Sequence, residues 1–203
     1  MRHGHSNRTI IKTTELMEND ILKCIETLKN GGTILYPTDT IWGIGCDATN
    51  EKAVKKVNAL KNRKENKHYL ISLDSPSELI FYLDELPPIA LELINSYNKP
   101  LTIIYPKARN IAKNLIAPDG SIGIRVVKDE FCKELIHRFG SPIVSTSANL
   151  SGSPAPVSFP MIHESIVKNA DYVVKYNQDR ITGIKPSTII KLTGKDEFVI
   201  IRE

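Results

Sequence analysis

Helical and strand patterns alternate along the whole chain, and this alternation most constrains the fold. Residues 19–29 place Ile21, Leu22, Ile25 and Leu28 on one helical face. Short apolar runs typical of buried strands occupy 33–36, 69–73, 100–105, 122–127, 142–145, 172–174, 187–192 and 198–202. Further helices are predicted over 50–61, from 75, over 129–139 and near 160–168. Crossovers and a "TGKD" hairpin turn together predict an α/β fold with a twisted mixed sheet flanked by helices.

The length and composition favour one domain over residues 1–203, of which about 1–14 are expected to be flexible. The chain is 41% hydrophobic and 25% charged, which is sufficient for a globular core. No apolar run reaches the ~18 residues of a membrane span, and the start lacks the apolar centre of a secretory signal. Cys24, Cys46 and Cys132 are widely spaced, which is typical of reduced thiols. We therefore predict a cytoplasmic protein without a membrane partner or a thiolate metal site.

Positive charge is concentrated around the second predicted helix. Lys52, Lys55 and Lys56 are interpreted as a solvated helix face. Lys61 and Arg63 differ, because they lie where the helical pattern stops, and we expect their charges to lie outside the core.

The stretch "GIGCDA" at 43–48 fits the glycine pattern of dinucleotide-binding folds. That pattern also needs an acidic residue about 20 positions later, at the end of a strand. The basic stretch "RKENK" stands there instead, so we reject this interpretation and expect the glycines to permit a tight bend.

Polar loops follow several of the predicted strands and are expected to converge. They are "YPTDT" (36–40), "KNRK" (61–64), "GSIGIR" (120–125), "STSAN" (145–149) and "KPST" (185–188). These loops offer fixed cations and hydroxyls, without paired carboxylates, a Ser-His-Asp order or a metal-ligand cluster. Such a site works by positioning and charge neutralisation, as phosphoryl or nucleotidyl transfer requires.

The motifs "GGTILYPTDTIWGIGCDA", "KNR", "SIGIR", "STSANLSGSPAP" and "GIKPSTII" occur in the order and spacing of the YrdC family. Over about residues 18–202 the chain resembles its threonylcarbamoyl-AMP synthases, in their short single-domain form with a YrdC/RibB-like fold. The resemblance implies that L-threonine, bicarbonate and ATP, with Mg²⁺, give threonylcarbamoyl-AMP and pyrophosphate. That product serves threonylcarbamoyladenosine modification at position 37 of tRNA.

The resemblance also implies which residues bind the nucleotide. They are basic, hydroxyl and amide side chains: Lys61, Arg63, Ser121, Ser147, Asn149 and Arg202. Among them, the pair Lys61 and Arg63 would neutralise the triphosphate as pyrophosphate leaves. Ser147 and Asn149 would complete the catalytic set by orienting the α-phosphate.

The amino acid is expected to bind beside the nucleotide. Arg125 would hold the threonine carboxylate in a bidentate pair. The resemblance assigns the remaining threonine contacts to Thr38, Ser145, Ser187 and His68. Asp39 is interpreted as a turn former after Pro37, and Trp42 as a packing residue.

The sequence also predicts two classes of partner, and it departs from the usual family pattern in one loop. Weak binding to tRNA or double-stranded RNA is expected from the basic helix, and tRNA threonylcarbamoyltransferase proteins would act downstream. Asn62, Lys64, His68 and Tyr69 differ from the usual loop after the first lysine, so that loop is expected to have a different shape.

Three alternative functions stay open. Carbamoyl-adenylate enzymes of hydrogenase maturation use a related domain, but within much larger chains that carry zinc-finger and acylphosphatase segments. A noncatalytic double-stranded RNA- or nucleotide-binding module of the same fold is the second alternative, against which the Lys-x-Arg and Ser-x-Asn residues argue. A dihydroxybutanone-phosphate synthase is the third, and it requires an acidic metal-binding loop that the sequence lacks.

Overall fold

The computed structural model describes residues 3–63, 69–181 and 187–203, with side chains from residue 12 onward. The helices in these ranges are α1 His3–Lys29, α2 Glu51–Leu60, α3 Leu79–Tyr82, α4 Pro88–Ser96, α5 Glu130–Phe139 and α6 Glu164–Asn169. The strands are β1 Ile34–Tyr36, β2 Gly43–Gly45, β3 Leu70–Leu73, β4 Leu101–Tyr105, β5 Ile122–Val126, β6 Ile143–Ser147, β7 Tyr172–Val173, β8 Thr188–Leu192 and β9 Phe198–Arg202. Short 3₁₀ turns occupy Pro76–Glu78, Lys113–Leu115 and Phe159–Met161.

Within the described ranges, nine strands form one mixed sheet in the order β7-β1-β2-β6-β3-β5-β4-β8-β9. The pairs β1–β7, β3–β5 and β4–β8 are parallel, and the other neighbours are antiparallel. The hairpin β8–β9 turns at the predicted "TGKD" stretch. The predicted mixed sheet is therefore confirmed.

The first helix is longer than its apolar pattern. It begins at His3, whereas the sequence predicts a helix only from residue 19 and a flexible segment over about 1–14. Residues 12–15 are exposed, so this four-residue stretch buries no apolar face that a periodicity could reveal. Its second half is anchored by the buried Asp20, which accepts hydrogen bonds from the Tyr172 hydroxyl (2.6 Å) and the main-chain N–H groups of Lys175 and Tyr176 (3.0 and 2.7 Å).

Two elements escape the sequence-based prediction, β2 and α4. The glycines of "GIGCDA" were expected to form a bend, but Gly43–Gly45 is a buried strand between β1 and β6. A Cβ at Gly45 would lie 2.8 Å from Cε1 of Tyr36 and 2.9 Å from the carbonyl oxygen of Val144. The glycine therefore permits close packing within the sheet.

None of the helices in the part of the chain that the structure describes has the length and apolar character needed to cross a bilayer.

Candidate active site

A cavity of about 350 Å³ lies where several strand-end loops meet. It is lined by side chains from the β1–β2 loop, the segment after α2, and strands β5, β6, β8 and β9. The lining residues are Thr38, Thr40, Ile41, Trp42, Gly43, Arg63, Tyr69, Leu70, Arg125, Ser145, Thr146, Ser147, Ala155, Ser187, Ile189 and Arg202.

This lining contains most of the ATP- and threonine-binding residues that were predicted from the sequence. Thr38, Arg63, Arg125, Ser145, Ser147, Ser187 and Arg202 all border the cavity. Lys61, Ser121 and Asn149 do not border it, and His68 lies outside the described residues. Lys64, one of the departures in the same loop, is also outside the described residues.

Arg125 lies on β5 and is only 5% exposed. Its Nη1 donates to Asp39 Oδ1 (2.9 Å) and Thr40 Oγ1 (3.3 Å), and its Nη2 to Ser187 Oγ (2.8 Å). Nε and Nη2 also donate to Thr102 Oγ1, each at 3.3 Å. The guanidinium is thus held by one carboxylate and three hydroxyls.

Asp39 is more than the turn former that the sequence suggested. Its carboxylate forms an ion pair with Arg125, and both side chains are under a tenth exposed, at 8% and 6%. Its second oxygen, Oδ2, is buried without a hydrogen-bond partner among the described residues. The sequence signal was an acidic residue within a hydroxyl-rich loop. Its partner, Arg125, lies 86 residues away along the chain, so the signal does not identify the pair.

Thr38 and Thr40 give this loop its shape. The hydroxyl of Thr38 donates to the Ile41 carbonyl (2.6 Å) and accepts from the Thr40 main-chain N–H (3.1 Å). Both threonines are buried and border the cavity. The side chains of Thr38 and Thr40 therefore both stabilise the loop and form part of the cavity wall.

Trp42 is fully buried and packs against Phe159 with ring centroids 4.9 Å apart. Packing was expected, and the ring also borders the cavity, where its buried indole N–H has no hydrogen-bond partner among the described residues.

Lys61 lies in the core, contrary to the expectation that its charge is outside it. The residue is 3% exposed, and its ammonium donates to the main-chain oxygens of Ser147 and Asn149, the latter at 2.7 Å. Burial, together with the nearby Arg63, lowers the pKa of Lys61 from 10.5 to about 8. In this structure its donors hold the loop after β6 and do not face the cavity.

Asn149 is also used within that loop. Its Nδ2 donates to the carbonyl oxygens of Leu150 (3.0 Å) and Ser153 (2.6 Å), and its Oδ1 lies 3.5 Å from the Lys61 ammonium. The amide therefore fixes the turn that leads to the two prolines, and Ser147 is the member of the Ser-x-Asn pair that borders the cavity.

Arg63 reaches the cavity because the chain turns sharply after α2. Asn62 adopts a left-handed conformation (φ 49°), which asparagine tolerates better than most residues at the end of a helix. The guanidinium carbon of Arg63 lies 4.3 Å from the centre of the Tyr69 ring, in a cation–π contact. The Tyr69 hydroxyl donates to Asn58 Oδ1 (2.6 Å). Two of the departures from the usual loop, Asn62 and Tyr69, thus position this arginine.

Arg202, on β9, joins the cavity by pairing with β8. Its Nε and Nη2 donate to the Ser187 carbonyl oxygen at 3.1 and 2.8 Å. Burial and repulsion from Arg125 lower its pKa. Ser121 lies elsewhere, at the start of β5, where its hydroxyl donates to Asp119 Oδ1 (2.5 Å).

The chain matches the family model described as "Telomere recombination", for the Sua5, YciO and YrdC proteins, over residues 26–203. It belongs to this family. A putative threonylcarbamoyl-AMP synthase of Methanocaldococcus jannaschii is 37% identical, over 96% of this chain and 92% of that protein. A threonylcarbamoyl-AMP synthase of Pseudoalteromonas translucida is 32% identical, over 85% and 92%. The family assignment made from the sequence motifs is therefore confirmed.

Solved structures share the fold. Escherichia coli YciO is 26% identical with a TM-score of 0.78, covering 90% of this chain and 88% of that one. Pyrococcus abyssi Sua5, solved in complex with L-threonine, is also 26% identical with a TM-score of 0.78. The match covers 90% of this chain and 53% of that one. A nucleotide-bound HypF, at 21% identity and a TM-score of 0.76, shares the fold over 28% of its length.

Proposed function

We propose that this protein is a threonylcarbamoyl-AMP synthase that joins L-threonine, bicarbonate and ATP and releases pyrophosphate. The observation that carries the proposal is the similarity to synthases of that name over almost their whole length. The cavity supports it, since one buried arginine suits a carboxylate and two further arginines suit phosphates.

In the proposed mechanism, Arg125 binds the threonine carboxylate through its Nη2 side, where its present partners are neutral hydroxyls. Ser145 and Ser187 are buried hydroxyls on the same cavity and supply hydrogen bonds to the amino acid. Thr38 contributes a third hydroxyl. Buried hydroxyls around one carboxylate-binding arginine suit a small amino acid that carries a hydroxyl of its own.

Arg63 and Arg202 take the phosphates of ATP in this proposal. Both residues border the cavity, and a guanidinium group carries five N–H donors. Nε and Nη2 of Arg202 donate to the Ser187 carbonyl oxygen, so we assign the remaining N–H donors of Arg202 to phosphate oxygens. The threonine amine and bicarbonate first form a carbamate with loss of water. A carbamate oxygen then attacks the α-phosphorus in line while the bond from that phosphorus to the pyrophosphate leaving group breaks, and the Ser147 hydroxyl donates to an α-phosphate oxygen. The two arginines neutralise the charge that builds on the departing pyrophosphate.

Lys61 and Asn149 support the reaction through the loop after β6. The ammonium of Lys61 holds the main-chain oxygens of Ser147 and Asn149, and the Asn149 amide closes the turn behind them. Together they fix the position of the Ser147 hydroxyl.

Mg²⁺ is proposed to enter with ATP. The part of the chain that the structure describes holds no group of three His, Cys, Asp or Glu side chains suited to a metal ion. The cavity lining fits phosphate oxygens better than it fits a metal, because its charged members are arginines. Phosphate oxygens of ATP would then be the main ligands of Mg²⁺, and the ion would screen their negative charge from the attacking carbamate.

The decisive experiment incubates the purified protein with ATP, Mg²⁺, bicarbonate and labelled threonine. We expect pyrophosphate and a labelled adenylate in equal amounts, and neither product when threonine, bicarbonate or Mg²⁺ is left out. Pyrophosphate release that does not depend on threonine would contradict the proposal. Binding of RNA without any adenylate formation would favour the noncatalytic alternative.

A further inference from the structure

We infer that Asp39, through its pair with Arg125, restricts the pocket to zwitterionic amino acids and excludes carboxylic acids that lack an ammonium group. The inference rests on the proposed function, because it takes Arg125 as the carboxylate-binding residue. It gives Asp39 a specificity-determining role toward the amino group.

The first argument is the charge already present at Arg125. The buried ion pair with Asp39 has no net charge, and both side chains are more than nine-tenths buried. Arg63 and Arg202 also border the cavity, but the proposed function assigns both of them to the phosphates of ATP. A carboxylate bound to the Asp39–Arg125 pair would therefore add one negative charge to that pair in a desolvated place, which is costly. A zwitterion brings its own positive charge, so the pair with its ligand stays neutral.

The second argument is the unused oxygen of Asp39. Oδ1 accepts from Arg125, whereas Oδ2 is buried and has no partner among the described residues. A buried acceptor without a donor destabilises the protein, so such an atom calls for a specific explanation. An ammonium group of the ligand is a donor of the right charge for this oxygen.

The third argument is which contacts of Arg125 can be exchanged. Its bonds to Thr102 and Ser187 involve neutral hydroxyls, and those two hydroxyls lie 3.0 Å apart, so they can bond to each other. The bond to Asp39 is charge-assisted and stronger. An incoming carboxylate therefore displaces the hydroxyls and leaves Asp39 in place beside it. The ligand's α-amino group, one carbon away from its carboxylate, then lies near Asp39.

Acidic side chains are missing from the described lining of this cavity, whose charged residues are Arg63, Arg125 and Arg202, all of them positive. Asp39 is not itself a lining residue, but it pairs with Arg125, which is. We therefore assign to Asp39 the distinction between an ammonium and a hydroxyl on the acid that Arg125 binds.

The test compares two ligands by calorimetry in the presence of Mg²⁺ and a nonhydrolysable ATP analogue. One ligand is L-threonine, and the other is 2,3-dihydroxybutanoate, in which a hydroxyl replaces the ammonium group. We expect the parent protein to bind threonine about 10- to 100-fold more tightly, the range for one charged hydrogen bond. In Asp39→Asn, which retains an oxygen acceptor for Arg125, the ratio should fall to about threefold or less.

The matched control is Asp20→Asn, which changes another buried aspartate, whose hydrogen bonds go to Tyr172, Lys175 and Tyr176 and not to Arg125. It should lower stability and leave the ligand ratio at the parent value. Equal binding of the two ligands by the parent would overturn the inference without any variant, even if Asp39→Asn fails to fold. An unchanged ratio in a folded Asp39→Asn would overturn it as well.

These outcomes differ from a failure of the proposed function. If the parent binds no threonine and forms no adenylate, the proposed function fails, and the inference fails with it. If threonine binds and reacts but Asp39→Asn keeps the parent ratio, the proposed function stands and only the role of Asp39 is refuted.

Discussion

Replacing Lys61 should reduce stability as well as nucleotide binding, because its ammonium is part of the core. Lys61→Ala leaves the main-chain oxygens of Ser147 and Asn149 without their donor. Each buried acceptor left unpaired costs about 1–3 kcal/mol, so the two together cost about 2–6 kcal/mol, and removal of a desolvated charge offsets part of that cost. We expect a net loss of about 2–4 kcal/mol, which lowers the melting temperature of a chain of this length by about 5–15 °C.

The assay measures thermal melting and ATP binding on the same preparations. Lys61→Met retains the aliphatic stem and isolates the loss of the ammonium, and Lys52→Ala, on the exposed face of α2, is the control. We expect Lys52→Ala to melt within about 1 °C of the parent, as surface changes usually do. If Lys61→Ala melts like the parent while ATP binding is lost, the ammonium is free to bind phosphate and our interpretation is wrong.

The pH dependence of stability gives a second check on Lys61. The pKa of Lys61 is about 8 in the folded protein, and the ordinary value for lysine is 10.5. Between these two pH values the unfolded chain therefore binds more protons than the folded one. Stability due to this group therefore rises with pH across that window. The neutral amine still donates to both carbonyls, and so the stability difference between the parent and Lys61→Met should widen from pH 8 to 10. Urea denaturation measures it, and a difference that shrinks with pH would refute the burial of the ammonium.

Three further predictions concern the loop, the substrate and RNA. Asn149→Ala should lower the melting temperature and the rate of pyrophosphate release together, since its amide closes the turn; normal melting with lost turnover would indicate a direct contact with substrate instead. Serine should react more slowly than threonine, and valine more slowly still, because an apolar side chain leaves the hydroxyl groups of the pocket without partners. A kcat/KM for valine similar to that for threonine would contradict this. Binding to structured RNA through the exposed face of α2 should be weak and fall steeply with salt, in filter-binding measurements between about 50 and 200 mM; constant affinity over that range would remove RNA from the expected partners.

The outline of the fold could be predicted because its signals are local. The apolar period of α5, its Asp129 cap and its terminal Gly140 are all readable within one short segment. The polar stretches after β1 and at the end of β6 were recognisable in the same way, although Ser145 and Ser147 belong to β6 itself and not to the loop after it. The structure brings Thr38, Ser145 and Ser147 to one cavity. By contrast, β2 carries glycines that argue against a strand, and only its neighbours Tyr36 and Val144 explain them.

The sequence by itself determined the order of the elements apart from β2 and α4, the mixed character of the sheet, and the polar stretches near the strand ends. Only the tertiary structure decided what Lys61 and Asp39 do. Lys61 donates to main-chain oxygens 86 and 88 residues away, and a carbonyl oxygen is present in every residue, so no side-chain pattern identifies that partner. Asp39 and Arg125 are likewise 86 residues apart, and their pairing follows from how the β1–β2 loop packs over β5. Helix and strand propensities act over a few residues, whereas these contacts depend on the packing of the whole sheet.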